Sequence, residues 1–224
     1  MRYVSISKKW YEELFSELAT ELRSSSLRIE ITGPIASGKT TLAQALATQL
    51  GWVLATEVPE LVPFWAETYS VDRRYQFEKD LEFLLFHAVA VRQLQSQNGQ
   101  PLICDFSFLQ DLAYAKLSQT PEELSTYRSV HEHFRRKCGA PSLIINLSCS
   151  THILLARIVE RGRIPEQGIQ SQFLEALALR IDEELSRQSD GIPIVEVNSE
   201  NVDFRNDATA IAYRVLSHLP ERLK

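Results

Sequence analysis

Residues 28–41 read Arg-Ile-Glu-Ile-Thr-Gly-Pro-Ile-Ala-Ser-Gly-Lys-Thr-Thr. The run opens as an apolar strand and turns through a loop bounded by Gly33 and Gly38. It then enters a helix marked by the stripe Leu42, Ala43, Leu46 and Leu50. Gly33, Gly38, Lys39 and Thr40 stand in the spacing G-x-x-x-x-G-K-[ST], a phosphate cradle between a strand and a helix. The glycines let the backbone approach an anion without a side chain in the way. The N–H groups from Gly33 through Ala36, Ser37, Gly38, Lys39, Thr40 and Thr41 are expected to point at the phosphates of a nucleoside triphosphate. Lys39 would neutralise the outer phosphates and the Thr40 hydroxyl would ligate Mg²⁺. The stretch predicts a site for ATP or GTP. A chance glycine turn would lack this strand-and-helix context.

The 224 residues suit one α/β unit, or a core with a small lid, and 44% apolar residues are enough for a buried core. No run of eighteen apolar residues occurs, and Met1-Arg-Tyr-Val-Ser is not followed by a secretory apolar stretch. A soluble, cytoplasmic protein without a membrane partner is therefore expected. Cys104, Cys138 and Cys149 have no paired or metal-like spacing. A net charge of −5 argues against nucleic acid as the main ligand, which needs a basic field, and favours a small anionic or neutral substrate.

Apolar strands are predicted at 28–32, 52–56, 101–105, 142–147 and 192–197, with helical patterns between them. That order is the signature of a parallel sheet covered on both faces. Phe77, Leu81, Leu84, Leu85, Ala88, Val91 and Leu94 recur at helical spacing over 76–97. Thr120-Pro121-Glu122-Glu123 is a capping box opening a helix towards Lys137. Ser150 is expected to cap the helix of Ile153, Leu154 and Ile158, and 169–188 and 207–218 read as further helices. Ahead of the first strand, Trp10, Leu14, Leu18 and Leu22 share one face of a helix over 8–23, laid either on the core or on a partner. There are no repeats or low-complexity tracts, so residues 1–224 read as a single domain.

Phosphoryl transfer needs a held triphosphate, a placed metal, an oriented acceptor hydroxyl and neutralisation of the moving charge. Glu57 follows the second strand, at the carboxyl edge where open parallel sheets bind ligands, and could accept the proton of an acceptor hydroxyl. Asp105 ends the third strand and is placed to hold Mg²⁺ directly or through water; otherwise it caps a turn. Ser107 is placed to orient Asp105 or the acceptor. Arg157 and Arg161 share a helical face, and Arg163 follows in the loop 162–168. Planar guanidinium groups suit phosphate oxygens, so 157–168 reads as a lid over the transferring group, against the plainer reading of solubilising surface arginines.

Four blocks together resemble the deoxynucleoside kinase family, particularly its bacterial deoxyadenosine and deoxyguanosine kinase branch. They are Ile29-Glu-Ile-Thr-Gly-Pro-Ile-Ala-Ser-Gly-Lys-Thr40; Thr56-Glu-Val-Pro-Glu60 with Pro63-Phe64 and Tyr69; Ile103-Cys-Asp-Phe-Ser107; and Arg157-Ile-Val-Glu-Arg-Gly-Arg-Ile-Pro-Glu166. The resemblance spans about residues 27–200. It implies a P-loop kinase with a five-stranded parallel sheet, ATP and Mg²⁺ as cofactors, a nucleoside or nucleotide as small-molecule substrate, and a homodimer. By the same resemblance Glu57 accepts the nucleoside 5′-hydroxyl proton and Tyr69 and Glu166 hold the sugar 3′-hydroxyl. Tyr69 as a half-buried core tyrosine stays open. The polar loop Asn198-Ser-Glu-Asn-Val-Asp203 would lie beside the adenine of ATP, or be a plain connection.

Two positions depart from the family pattern. Many members have an arginine directly after the acidic residue that ends the third strand, contacting the acceptor; here Phe106 stands there. Many also have glutamine three residues after the helix phenylalanine, to bond the nucleobase; here Phe77 is followed by Asp80, which only accepts hydrogen bonds. The expected activity is phosphorylation of a deoxynucleoside 5′-hydroxyl, with purines or deoxycytidine favoured over thymidine. The alternatives are a nucleoside monophosphate or small-metabolite kinase using Arg73 and Arg74, and a nucleotide-binding regulatory module without turnover.

Overall fold

In a computed structural model the described residues are 27–65, 74–188 and 191–219. The expected helix at 8–24, Tyr69 and Arg73 lie outside them. Five strands, β1 (Arg28–Thr32), β2 (Val53–Ala55), β3 (Leu102–Cys104), β4 (Leu143–Ser148) and β5 (Ile194–Asn198), form one parallel sheet in the order β2-β3-β1-β4-β5. All five lie where the sequence places them. After β1 the chain passes to the edge strand β2 and returns beside β1 as β3, then crosses to the other side as β4 and β5. The carboxyl end of β1 therefore sits at the reversal, where ligands bind in open α/β sheets.

The pleat sorts side chains between faces. Ile29, Ile31, Ile103, Leu143, Ile145 and Leu147 pack on α1 (Lys39–Leu50) and α7 (Ala208–Ser217). The opposite face is divided between two clusters. Leu102 and Cys104 meet α2 (Gln76–Asn98) and α4 (Pro121–Cys138), while Ile144 meets α5 (Thr151–Arg161) and α6 (Ser171–Ser186). Helix α3 (Phe108–Ser118) serves both, through Phe108 and Ala115 in the first and Leu109 and Ala113 in the second.

Helix α3 was not anticipated. Ser107, expected to orient Asp105 or the acceptor, instead accepts a hydrogen bond from the Gln110 N–H and caps this helix. The box at Thr120 forms as expected, with Thr120 Oγ1 accepting from Glu123 N and Glu123 Oε2 from Thr120 N. Ser150 occupies the N-cap of α5 without a side-chain capping bond; its own N–H donates to Glu200 Oε1 at 2.7 Å.

The strand β1 also carries charges inward. Arg28 Nε lies 3.0 Å from Glu30 Oε1, and its guanidinium donates to the carbonyls of Cys138 and Gly139, each at 2.6 Å. Glu30 Oε2 accepts the Phe108 N–H at 3.3 Å. The buried pair thus ties the start of α3 and the end of α4 to the central strand, satisfying polar ends that burial would otherwise penalise.

Candidate active site

A cavity of about 1030 Å³ opens along the carboxyl ends of the strands. The phosphate loop forms one wall. Gly33, Ala36 and Gly38 have φ of 142°, 62° and 97°, so three left-handed residues turn the backbone inward. A Cβ on Gly38 would lie 2.7 Å from Phe204 Cε2, and one on Gly33 would lie 2.6 Å from the Leu147 carbonyl oxygen, so both positions require glycine for space as well as for φ. Lys39 Nζ donates to the carbonyls of Gly33 at 2.9 Å and Pro34 at 3.1 Å, folding the loop around its own cation. Desolvation pulls the Lys39 pKa down, against the raising charges of Glu57 and Asp105, to about 8. Gln110 Oε1 accepts the Gly33 N–H at 3.2 Å, so α3 braces the loop as well.

Glu57 and Asp105 meet beyond β2 and β3. The Glu57 N–H donates to Asp105 Oδ1 at 2.6 Å. Burial pushes the Glu57 carboxyl up, but the nearby His87 ring, with Lys39 and Arg163, outweighs it and holds it below its ordinary value. Asp105 is pushed the other way. Burial first, and the Glu57 charge with it, raise its pKa to about 6 despite the Glu57 N–H, Thr40 and Lys39. Among the described residues its buried Oδ2 has no hydrogen-bond partner, and the Thr40 side chain faces the same carboxylate. A buried carboxylate oxygen left open beside a threonine hydroxyl fits Mg²⁺, which takes a few protein oxygens and keeps its remaining positions for phosphate and water.

Arg157, Arg161 and Arg163 all reach the cavity, in different ways. Arg157 donates to the carbonyls of Ala36 at 3.4 Å and Ser199 at 2.6 Å, and to Ser199 Oγ at 3.2 Å, bracing the phosphate loop against the loop after β5. Arg161 pairs with Glu166. Arg163 lies 3.3 Å from Glu60, 3.6 Å from Glu166 and 5.8 Å above the Trp65 ring. Gly162, at φ 68°, ends α5 between these two arginines and lets both point back over the cavity, while Glu166 is buried beneath them.

The loop after β5 lines the same space with Val202, Asp203, Phe204 and Arg205, as the sequence anticipates for 198–203. Asp80 lies on the cavity wall and is buried, but its carboxylate is not free. Lys79 Nζ is 2.8 Å away, and Ser118 Oγ and Gln119 Nε2 donate to it at 2.5 Å each. The expectation of an open acceptor there is corrected, because buried Lys79 on α2 and half-buried Ser118 and Gln119 at the end of α3 take it first. Phe106, expected against the acceptor, is buried with its ring stacked on His87, centroids 3.8 Å apart and planes 8° from parallel.

Sequence reasoning missed Lys79, His87, Gln110, Asp111 and Tyr127. His87 lies seven residues after Asp80, about two helical turns, so the face that carried one carried the other. Asp111 and Gln110 belong to the unpredicted α3, and the Tyr127 hydroxyl is buried without a hydrogen-bond partner among the described residues.

A sequence profile described as Deoxynucleoside kinase matches residues 29–220. The deoxyguanosine kinase of Bacillus subtilis is 27% identical over 196 residues, covering 84% of this chain and 95% of that protein. A deoxyadenosine kinase of Dictyostelium discoideum is 29% identical over 185 residues, covering 78% and 74%. Deoxyadenosine kinase from M. mycoides with bound dCTP superposes with a TM-score of 0.72 at 21% identity over 85% of this chain and all of that one, which establishes the common fold. A parallel sheet in this order, a phosphate loop at its reversal and a profile match over most of the length place the chain in the deoxynucleoside kinase family, as a kinase enzyme.

Proposed function

We infer that the protein transfers the γ-phosphoryl group of ATP to the 5′-hydroxyl of a purine deoxynucleoside. The observation that carries this reading is one cavity lined at once by Lys39, Glu57, Arg161 and Arg163. Lys39 and the N–H groups from Gly38 to Thr41 hold the triphosphate, with Lys39 exchanging its loop carbonyls for phosphate oxygens. Thr40 and Asp105 hold Mg²⁺, which neutralises charge on the phosphates when bound. Glu57 orients the 5′-hydroxyl and accepts its proton, a role suited to a carboxylate kept ionised by neighbouring cations. Arg161 and Arg163 exchange Glu166 and Glu60 for the transferring phosphoryl oxygens as the lid 157–168 closes and excludes water, and Arg157 keeps the loop in register.

Glu166, with Tyr69, holds the sugar 3′-hydroxyl. Lys79 and Asp80 line the base side, while Phe106 stays buried behind the wall against His87, and relatives named deoxyguanosine and deoxyadenosine kinases support the purine preference. Residues 1–224 act as one kinase domain in the cytoplasm. Leu85 and Val89, four apart and exposed on α2, support a homodimer. An assay with ATP, Mg²⁺ and the four deoxynucleosides tests the reading: deoxyadenosine or deoxyguanosine should give the highest kcat/KM, and absence of transfer to every nucleoside overturns it.

A further inference from the structure

Asp105 is followed by Phe106 where the family resemblance leads one to expect a cation, yet Glu57 is not without one. The His87 ring is buried behind the cavity wall, stacked on Phe106, with each nitrogen facing a carboxylate. Nδ1 lies 3.0 Å and 2.9 Å from the two oxygens of Asp111, while Nε2, which has no hydrogen-bond partner among the described residues, lies at ion-pair distance, 3.4 Å, from Glu57 Oε1. A neutral imidazole carries one donor and one acceptor, so it would set a lone pair against one of these carboxylates; only the imidazolium presents N–H to both. Glu57 and Asp111 line the cavity, whereas His87 reaches it through them.

We propose that His87, held as an imidazolium between Asp111 and Glu57 and seated on Phe106, is the cation that positions the catalytic carboxylate in this chain. The role rests on reading Glu57 as the base. His87 is a positioning residue: Asp111 on α3 fixes the ring, the flat face of Phe106 fixes its plane, and Nε2–H fixes the rotamer and charge of Glu57. An arginine at position 106 would compete for the same carboxylate, and a phenylalanine there provides the surface on which a ring from α2 can lie. Burial alone disfavours the charged ring, but Asp111 from α3 and Glu57 from beyond β2 outweigh it and raise its pKa to about 10. Its remaining close neighbours include Phe83 and Phe86 on its own helix, both with centroids at 6.1 Å. Lys39 and Arg163 also act on the Glu57 charge.

The test is a cycle of His87→Phe and His87→Gln, each alone and with Glu57→Gln, measured as kcat and KM with saturating ATP and the best deoxynucleoside. His87→Phe keeps the stack and removes both donors, and should lower kcat on the order of 10²-fold with a much smaller change in KM, the scale of a misplaced reacting group. His87→Gln, which returns one N–H donor, should recover part of the loss. With Glu57→Gln present, His87→Phe should change kcat by less than about 3-fold, because residues acting as a unit are not additive. Equal losses in both backgrounds, or an effect on KM and base ranking alone, overturn the proposal. Near-normal kcat in Glu57→Gln overturns the base assignment itself; a crippled Glu57→Gln beside an unaffected His87→Phe overturns only the role of His87. Should His87→Phe fail to fold, ¹⁵N resonances of the wild-type ring at pH 8 decide. Two protonated nitrogens support the proposal and one bare nitrogen overturns it.

Discussion

The backbone N–H of Glu57 donates to Asp105 Oδ1 at 2.6 Å, so the segment after β2 is fastened to the residue that follows β3 by a bond that leaves the Glu57 side chain out of it. Glu57→Gln therefore keeps this link and its main-chain geometry while losing proton acceptance. We expect kcat to fall on the order of 10²–10⁴, the usual cost of a lost general base, with KM for ATP little changed. Steady-state kinetics at saturating acceptor check this, and near-normal kcat excludes the assignment.

Asp105 itself gives a prediction with a definite sign in pH. Its folded pKa of about 6 lies above the ordinary 3.8, so the folded state holds its proton more tightly than the unfolded chain does. Its contribution to stability is fully present below about pH 4 and is lost as pH rises through about 6. Asp105→Asn should thus be more stable than the wild type above pH 7, by on the order of 2 kcal/mol, with the difference closing as pH falls through 6 towards 4. Thermal unfolding of both proteins across that range measures it. Mg²⁺ with ATP should raise the Tm of the wild type and do little for the variant, and a variant less stable at every pH would remove the claim that ionised Asp105 is held at a cost.

Much of this arrangement was legible in the chain, for physical reasons. The strands read because a parallel sheet buried on both faces demands short apolar runs, and Gly33 to Thr41 read because a loop that cradles phosphate needs glycine at fixed offsets. Helix α3 is hidden although Ser107-x-x-Gln110 is a capping signature, since Asp105-Phe106-Ser107 fits a strand-end catalytic block equally well. His87, Asp111 and Tyr127 were hidden because they converge only when α2, α3 and α4 pack together, and pairing across helices leaves no trace in local spacing. Asp80 was located on the correct wall, but its partners Ser118 and Gln119 lie nearly forty residues away in sequence.

Gly38 offers a test of the cradle independent of catalysis. A methyl group there would meet Phe204 Cε2 at 2.7 Å and would hold alanine at φ 97°. Gly38→Ala should cost about 1–3 kcal/mol of stability and most of the ATP affinity. Adding Phe204→Leu should return the part due to the clash and leave the part due to φ. Chemical denaturation and nucleotide titration of the single and double variants separate the two, and full recovery in the double variant would show that the backbone carries no strain.

For the lid, Arg161→Ala and Arg163→Ala should lower kcat by on the order of 10²-fold each while changing acceptor KM less, because their charge is spent on the transferring group. Removing Arg161 leaves buried Glu166 only the longer contact to Arg163 at 3.6 Å, so Tm should fall further in Arg161→Ala than in Arg163→Ala, whose guanidinium is divided between Glu60 and Glu166. Unchanged kcat in both would return these arginines to structural pairing alone.

The base side makes the sharpest demand on the structure, because Asp80 is paired before any nucleoside arrives. Lys79 is 3% exposed and 2.8 Å from the Asp80 carboxylate, with its ammonium also 3.1 Å from Gln76 Oε1 and 5.8 Å from the Tyr114 ring. Asp80→Asn keeps the shape and leaves that ammonium buried without its counter-charge, which typically costs about 3–5 kcal/mol. The double variant Lys79→Met with Asp80→Asn removes both charges and should recover most of the lost stability. In Asp80→Asn the released ammonium is free to donate to a base carbonyl, so thymidine should gain relative to the purines; in the double variant, which has no such donor, that gain should vanish. Thermal melts and a four-nucleoside panel of kcat/KM on the three proteins measure both effects. Asp80→Asn as stable as the wild type would show the pair to be energetically idle, and an unchanged substrate ranking would remove Asp80 and Lys79 from base selection while leaving the phosphate site untouched.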